Sequence, residues 1–407
     1  MSKIYITREK YINEVKPFIK KQIIKVFTGQ RRVGKSFLML QIIDLIKKID
    51  KQSLPLRGKK ANIIYIDKEN YAFDNIKDYH NLTKYIKEHA KKDAFNHLFI
   101  DEVQEIEGFE KTLRNFVKLK NFDIYITGSN SEMLSSDLAG KLSGRYIETR
   151  VHPLSYKEFI LFHQLEKGQG SLEKYIRYGG LPYLVNLELN DNQVFGYLKN
   201  VYDAVILKDV ISHFAIRNIN FLNRLIEYLA NNLGSLVSAK KISDFLKSQN
   251  TNLSPNTVLN YLSSITNSFF INKTPRIDIS GKKIFEIGEK YYFEDLGLRH
   301  VITDFKQIDI NKVLENLVYS KLIDSGYKVF VGQMGKNEID FVGEIGGKRI
   351  YVQVSYLISS KKVEEREFGN LLNIQDNYPK YVVTMDPMAQ GDVNGVKHVN
   401  IIDFLVG

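Results

Sequence analysis

The sequence predicts an α/β fold built on a parallel sheet, and three observations carry that expectation. The segment Val26-Phe27-Thr28-Gly29-Gln30-Arg31-Arg32-Val33-Gly34-Lys35-Ser36 sets a glycine-bounded loop ending in Lys-Ser between an apolar run and a helix-period run. Strand-length apolar runs alternate with helical patterns through residues 1–165. Another apolar run, His97-Leu98-Phe99-Ile100, ends in two adjacent carboxylates, Asp101 and Glu102. Together these specify the parallel sheet of a P-loop NTPase.

Taken in order, Ile23 to Phe27 reads as a buried strand and Ser36 to Lys47 as the amphipathic helix after the loop. Gly29 and Gly34 permit the tight turn that aims successive N–H groups at phosphate oxygens. The helix N-terminus adds partial positive charge. Lys35 can reach the β- and γ-phosphates, and the Ser36 hydroxyl can bind Mg²⁺. The candidate ATP-binding residues are therefore Gly29, Gln30, Arg31, Arg32, Val33, Gly34, Lys35, Ser36 and Phe37. Arg31 and Arg32 read equally well as nucleotide contacts and as exposed loop charges, whereas Glu69 reads as a solvated acid.

Further strands are expected at Ala61 to Asp67, His97 to Glu102, Phe122 to Thr127 and Tyr146 to Val151, where Pro153 stops the last. Helices are expected at Ile76 to Ala90, Phe109 to Lys120 and Ser131 to Leu142. Residues 155–235 read as helical, interrupted at Gly179-Gly180-Leu181-Pro182. Ser238 to Ser248 and Pro255 to Asn267 form two more helices, the second opened by a Ser-Pro cap. Phe269 to Lys273, Lys283 to Ile287 and Tyr291 to Phe293 follow as β segments, giving the outline of a winged helix. The last segment reads as a helix (Asn311 to Ser325), three strands (Lys328 to Val331, Glu338 to Glu344, Arg349 to Tyr356), a helix (Val363 to Ile374) and a strand (Tyr381 to Thr384). The expected division is 1–165 for the ATPase domain, 166–235 for a helical lid, 236–303 for a winged-helix-like domain and 304–407 for a C-terminal α/β domain.

Composition sets outer limits. The 407 residues are 43% hydrophobic and 26% charged, as in ordinary globular proteins. No apolar run nears the ~18 residues of a membrane span. The start lacks the apolar core of a signal peptide, and there is no Cys for disulfides or thiolate zinc. A cytoplasmic protein with no membrane partner is expected. The net charge of +11 favours a polyanionic partner such as nucleic acid. The competing explanation is a Lys-, Asn-, Ile- and Tyr-rich compositional bias.

The chemistry expected at the loop is phosphoryl transfer. Asp101 at a strand end can hold the Mg²⁺ shell, and Glu102 can orient and deprotonate the attacking water. Ser129 and Asn130, after the fourth strand, are placed to contact the γ-phosphate or that water. Arg145, before the fifth strand, could stabilise the transition state in cis or across a subunit interface. A finger in trans would require at least a homodimer, and the sequence leaves cis and trans open.

These motifs resemble one group of AAA-type ATPases. The resemblance rests on Gly29 to Ser36, on Leu98-Phe99-Ile100-Asp101-Glu102-Val103-Gln104, on Thr127-Gly128-Ser129-Asn130-Ser131, on Leu142-Ser143-Gly144-Arg145-Tyr146 and on Pro153-Leu154-Ser155-Tyr156-Lys157-Glu158-Phe159. Tyr178-Gly179-Gly180-Leu181-Pro182 and the run from Lys290 to Arg299 are similar too. The group occurs in bacteria and archaea and pairs an N-terminal AAA domain with a C-terminal domain of unknown function. Membership implies Lys35, Ser36 and Asp101 at nucleotide and Mg²⁺, Glu102 as the catalytic acid, a sensor at Ser129 or Asn130, and Arg145 as an arginine finger.

Residues 304–407 resemble the restriction-endonuclease-like fold, whose pattern is a helical Glu, an Asp, then Glu-x-Lys on a strand. Glu315 and Asp340 match the first two, but Gln353 and Ser355 replace the Glu and Lys. Phosphodiester hydrolysis needs clustered carboxylates and a nearby cation, so this domain is expected to be inactive. Lys361 or Lys362, in the following loop, could substitute for that cation, but nothing in the sequence shows that they do. In the winged-helix-like part, the second helix carries no Lys or Arg. Basic residues lie instead at Lys240, Lys241, Lys247, Lys273, Arg276, Lys282 and Lys283. The overall expectation is an Mg²⁺-dependent ATPase whose nucleotide state changes its shape or assembly, with nucleic acid as the partner that charge favours. The alternatives are a nucleotide-gated DNA-binding switch with negligible turnover and an ATP-driven nuclease.

Overall fold

The computed structural model describes residues 6–53, 60–131, 140, 142, 144–214, 216–248, 253–279, 281, 288–305, 309–358, 360–387 and 389–407. Most of the helix expected at Ser131 to Leu142, the strand expected at Lys283 to Ile287, and Lys282 lie outside the described residues. The chain divides into two compact units, one running to His152 together with Asn267–Phe269, the other Pro153–Thr266 with Phe270–Gly407. Among the described residues no helix is long and apolar enough to cross a membrane.

In the first unit five strands form one sheet: β1 (Ile24–Thr28), β2 (Ala61–Asp67), β3 (Phe95–Asp101), β4 (Phe122–Gly128) and β5 (Tyr146–Arg150). Their spatial order is β2-β3-β4-β1-β5, and every neighbouring pair is parallel. Alternation along each strand sorts side chains onto two faces. Ile24, Val26, Ile64, Ile66, Leu98, Ile100, Ile124 and Ile126 form the apolar middle of one face. Leu82 and Ile86 from the helix Tyr79–His89, and Leu113 and Phe116 from the helix Phe109–Phe116, cover it. The opposite face carries a buried polar cluster near the strand starts. There Asp123 pairs with Lys25, accepts the Tyr125 hydroxyl at 2.8 Å, and lies 3.2 Å from His97 Nδ1. Because the strands are parallel, Thr28, Asp67, Asp101 and Gly128 gather at the single carboxyl-terminal edge, where α/β sheets bind ligands.

The second unit opens with helices Tyr156–Phe162, Gln169–Tyr178 and Asp191–Ala204. The last of these continues into a π-helical stretch, Val205–Ser212, which helix periodicity alone does not signal. Helices Ile219–Asn231, Ala239–Ser248 and Pro255–Asn267 follow. Strands β6 (Leu236–Val237), β7 (Ile271–Thr274) and β9 (Glu289–Phe293) make an antiparallel sheet in the order β6-β9-β7. Strand β8 (Arg276–Asp278) leaves it to join a larger sheet of β10 (Lys328–Met334), β11 (Asn337–Ile345), β12 (Lys348–Ser355), β13 (Lys380–Thr384), β14 (Gln390–Val393) and β15 (Val396–Asn400).

Three residues of the run from Lys290 to Arg299 hold the fold together through named contacts. Asn316, on the helix Ile310–Asp324, accepts the Phe293 N–H at 2.8 Å and donates to the Phe293 carbonyl at 3.0 Å. Asp295 caps the helix Leu296–Thr303 through the Leu298 N–H at 3.1 Å and also accepts the Gly180 N–H at 2.7 Å. Arg299, 1% exposed, donates to the Ala230 carbonyl and pairs with Asp309.

The hairpin of β14 and β15 turns at Asn394-Gly395 with both φ angles positive. That dipeptide is a strong two-residue turn signal, and it lies beyond Thr384, where the expected elements end.

Candidate functional site

The loop after β1 is shaped by close backbone approach. Gly29 has φ +142°, and a Cβ there would stand 2.1 Å from the Val151 carbonyl oxygen. Val33 turns inward and is fully buried, while Arg32 takes a left-handed conformation and is exposed. Gln30 is also fully buried, and neither side-chain amide atom has a hydrogen-bond partner. Lys35 opens the helix Lys35–Ser53 and is 4% exposed. Its Nζ donates to the carbonyls of Gly29 at 3.0 Å and Gln30 at 3.2 Å, and lies 3.6 Å from Glu102 Oε1. Arg31 pairs with Glu69, so that acid is engaged as well as solvated. Phe37, on the first helical turn, is 57% exposed.

Asp101 ends β3, and Glu102 follows in a left-handed conformation at φ +51°. Thr127, at the tip of the intervening strand β4, joins the two. Its hydroxyl donates to Asp101 Oδ1 and accepts the Glu102 N–H at 2.9 Å. Burial pushes the Asp101 carboxyl above its ordinary range, while hydrogen bonds from Ser36 and Thr127 pull the other way. Burial acts on Glu102 in the same sense, but Lys35, Gln104, Arg31 and Ser129 outweigh it and hold the carboxyl below its ordinary value. Glu102 is therefore ionised at neutral pH, as a base must be. Ser129, which bonds to Glu102, and Asn130 are both buried just beyond β4. The Ser36 hydroxyl and the Asp101 carboxylate form a pair of hard oxygen donors of the kind Mg²⁺ takes. The loop N–H groups and Lys35 suit phosphate oxygens, and the unpartnered buried amide of Gln30 is polar capacity left at the loop itself.

Two further residues shape the site without a local mark in the sequence. Thr127 reads in the sequence as a strand end and as the start of the Thr127-to-Ser131 motif, with no role of its own. Arg8, 4% exposed, donates from Nη1 to the carbonyls of Val33 at 3.2 Å and His152 at 2.8 Å, tying the N-terminal segment to the loop. Nothing local in the sequence marks it, because its partners are remote along the chain.

Arg145 stands at the opposite end of β1 from the loop. Its carbonyl accepts the N–H of Ile24, the first residue of β1, and its side chain is exposed. The phosphate loop leaves the far end of that strand, about 13 Å away at ~3.3 Å per residue.

In the second unit Glu315, Asp340 and Gln353 do come together. The Asp340 N–H donates to Gln353 Oε1 at 3.3 Å, and both acids face the Lys290 ammonium. Ser355 is buried two positions further along β12, while Lys361 and Lys362 are exposed on the following helix. Of the expected phosphate contacts, Lys240, Lys241 and Lys247 are exposed. Lys273 pairs with Glu289 at 3.0 Å, and Arg276 donates to Gln333 at 2.6 Å within the larger sheet.

A phosphate loop and paired carboxylates on one edge of this five-stranded sheet define an AAA-type P-loop protein. Residues 21–160 match the family model of an AAA domain, and residues 169–309 match a domain of unknown function, DUF8612. An uncharacterized protein of Haemophilus influenzae is 33% identical over 411 residues, covering all of both chains, and the present chain belongs to the same family. An uncharacterized protein of Methanocaldococcus jannaschii is 29% identical over 364 residues, covering 84% of this chain and 77% of its own. The fold is shared with a Walker-type ATPase of Pyrococcus abyssi at a TM-score of 0.50, with 15% identity over 74% of this chain and 96% of that one.

Proposed function

We propose that this chain is an Mg²⁺-dependent ATPase whose nucleotide state drives a change of shape or assembly, with nucleic acid as its partner. The observation that carries the reading is the convergence of Lys35, Ser36, Asp101, Glu102 and Thr127 on one strand edge. The loop amides and Lys35 bind the phosphates, and Ser36 with Asp101 hold the metal. Bound Mg²⁺ supplies charge neutralisation at the phosphates. Glu102, ionised beside Lys35, orients the attacking water and takes its proton. Ser129 and Asn130 report the γ-phosphate from the end of β4. Arg145 serves a neighbouring subunit's site, which makes the working form a homo-oligomer. The four-part division at 165, 235 and 303, with a winged-helix-like third part and a restriction-endonuclease-like last part, belongs to the same proposal.

Nucleic acid as partner is supported by the net charge of +11 and the exposed Lys240, Lys241 and Lys247. The test is ATP hydrolysis with and without single- and double-stranded DNA at two salt concentrations. Stimulation that fades at high salt is the expected result. Hydrolysis indifferent to DNA would remove nucleic acid from the proposal, and absence of hydrolysis would favour the nucleotide-gated switch.

A further inference from the structure

Carboxylates that hold a divalent ion surround a centre into which the ion fits. In the larger sheet that centre is filled by the chain itself. Lys290, on β9, is 2% exposed. Its Nζ lies 2.8 Å from Glu338 Oε1, 3.5 Å from Glu315 Oε2 and 3.8 Å from Asp340 Oδ1. Lys312 reaches the other Glu315 oxygen at 2.9 Å. The second Asp340 oxygen accepts the Val354 N–H at 2.8 Å, and the Tyr292 hydroxyl donates to Glu315 at 3.4 Å. Among the described residues no three acidic or imidazole groups are arranged to hold a metal ion.

The charges come from separate elements. The ammonium is on the three-stranded sheet, Glu315 on the helix Ile310–Asp324, and Glu338 and Asp340 on β11. Two ammonium groups face three carboxylates, and burial together with the Glu315 charge raises the Asp340 carboxyl above its usual range against the pull of Lys290. The carboxylates hold the Lys290 ammonium above its ordinary value despite burial. Removing such a cation would leave buried carboxylates facing one another, and that repulsion is relieved by taking up another cation.

We propose that Lys290 is the resident cation of this cluster, its ammonium supplying the positive charge that a bound cation would otherwise have to bring. The C-terminal sheet is then a metal-free ionic joint to β9 rather than a hydrolytic centre. This reading is independent of the ATPase proposal.

The test is Mn²⁺ binding to the full chain by electron paramagnetic resonance without nucleotide, in an Asp101→Asn background that disables the other candidate metal site. With Lys290 present, Mn²⁺ binding should be unchanged by Asp340→Asn. Lys290→Ala should create a new Mn²⁺ site, which the added Asp340→Asn change should abolish. Mn²⁺ affinity that drops about tenfold or more on Asp340→Asn with Lys290 in place would overturn the proposal. So would a folded Lys290→Ala chain that gains no site, or DNA cleavage by the natural chain that Asp340→Asn abolishes. Should Lys290→Ala not fold, the comparison with Lys290 retained decides alone.

Discussion

The ammonium of Lys35 stands 3.6 Å from the carboxylate of Glu102, although their strands are not neighbours. Strand β4 lies between β1 and β3, and Thr127 at its tip fills the gap. The pair thus joins the phosphate loop to the acidic strand end across a third strand. Lys35 is also the leading charge that keeps Glu102 ionised against burial.

Glu102→Gln keeps the shape of the side chain and removes the base. ATP hydrolysis should fall about 100-fold or more while binding of a fluorescent ATP analogue persists. Lys35→Ala should lose nucleotide affinity itself. Unchanged turnover in the first variant, or normal binding in the second, would refute the assigned roles.

Thr127→Val deletes a hydroxyl that serves both acids. With the Glu102 N–H left unpaired and Glu102 no longer held at φ +51°, kcat should fall about tenfold or more with little change in KM. Thr127→Ser should restore most of it. A loss confined to stability, with normal kcat in the folded fraction, would make Thr127 purely structural.

Gly29→Ala forces a methyl group against the Val151 carbonyl at a φ that L-residues avoid. Nucleotide binding should disappear, and unfolding should be easier by more than about 1 kcal/mol. Calorimetry with and without ATP separates the two effects.

In the trans role, Arg145→Ala should suppress hydrolysis in the assembled subunits. Mixing Arg145→Ala with Glu102→Gln chains should restore part of the activity, because one subunit's intact arginine then meets the other's intact acid. No recovery in a verified mixed oligomer would exclude the trans role.

Asp295 gives a pH dependence with a definite sign. Burial pushes its carboxyl up to about 6, against hydrogen bonds from Gly180, Leu298 and Gly297. An acid raised above its unfolded value of ~3.9 binds more protons folded than unfolded between the two pKa values. Stability should therefore decline as pH rises from ~4 to ~6, by up to about 3 kcal/mol from this group. Asp295→Asn should flatten that part of a plot of melting temperature against pH, although it also weakens the helix cap. An unaltered slope would contradict the assignment.

The phosphate loop, the Asp101-Glu102 pair and the strand–helix alternation of the first 150 residues could be read from the sequence because each is written in contiguous residues. Glycine placement, helix period and the carboxylates at a strand end are local facts, and backbone geometry turns them directly into a turn, a helix start and an acidic edge. What the sequence did not contain was which distant segments meet. The placing of β4 between β1 and β3 gives Thr127 its two partners, and strand direction puts Arg145 at the start of β1, away from the loop. Burial brings Arg8 under the loop and Lys290 among three carboxylates. Those relationships depend on strand order and packing between residues far apart in the chain, which no local pattern encodes.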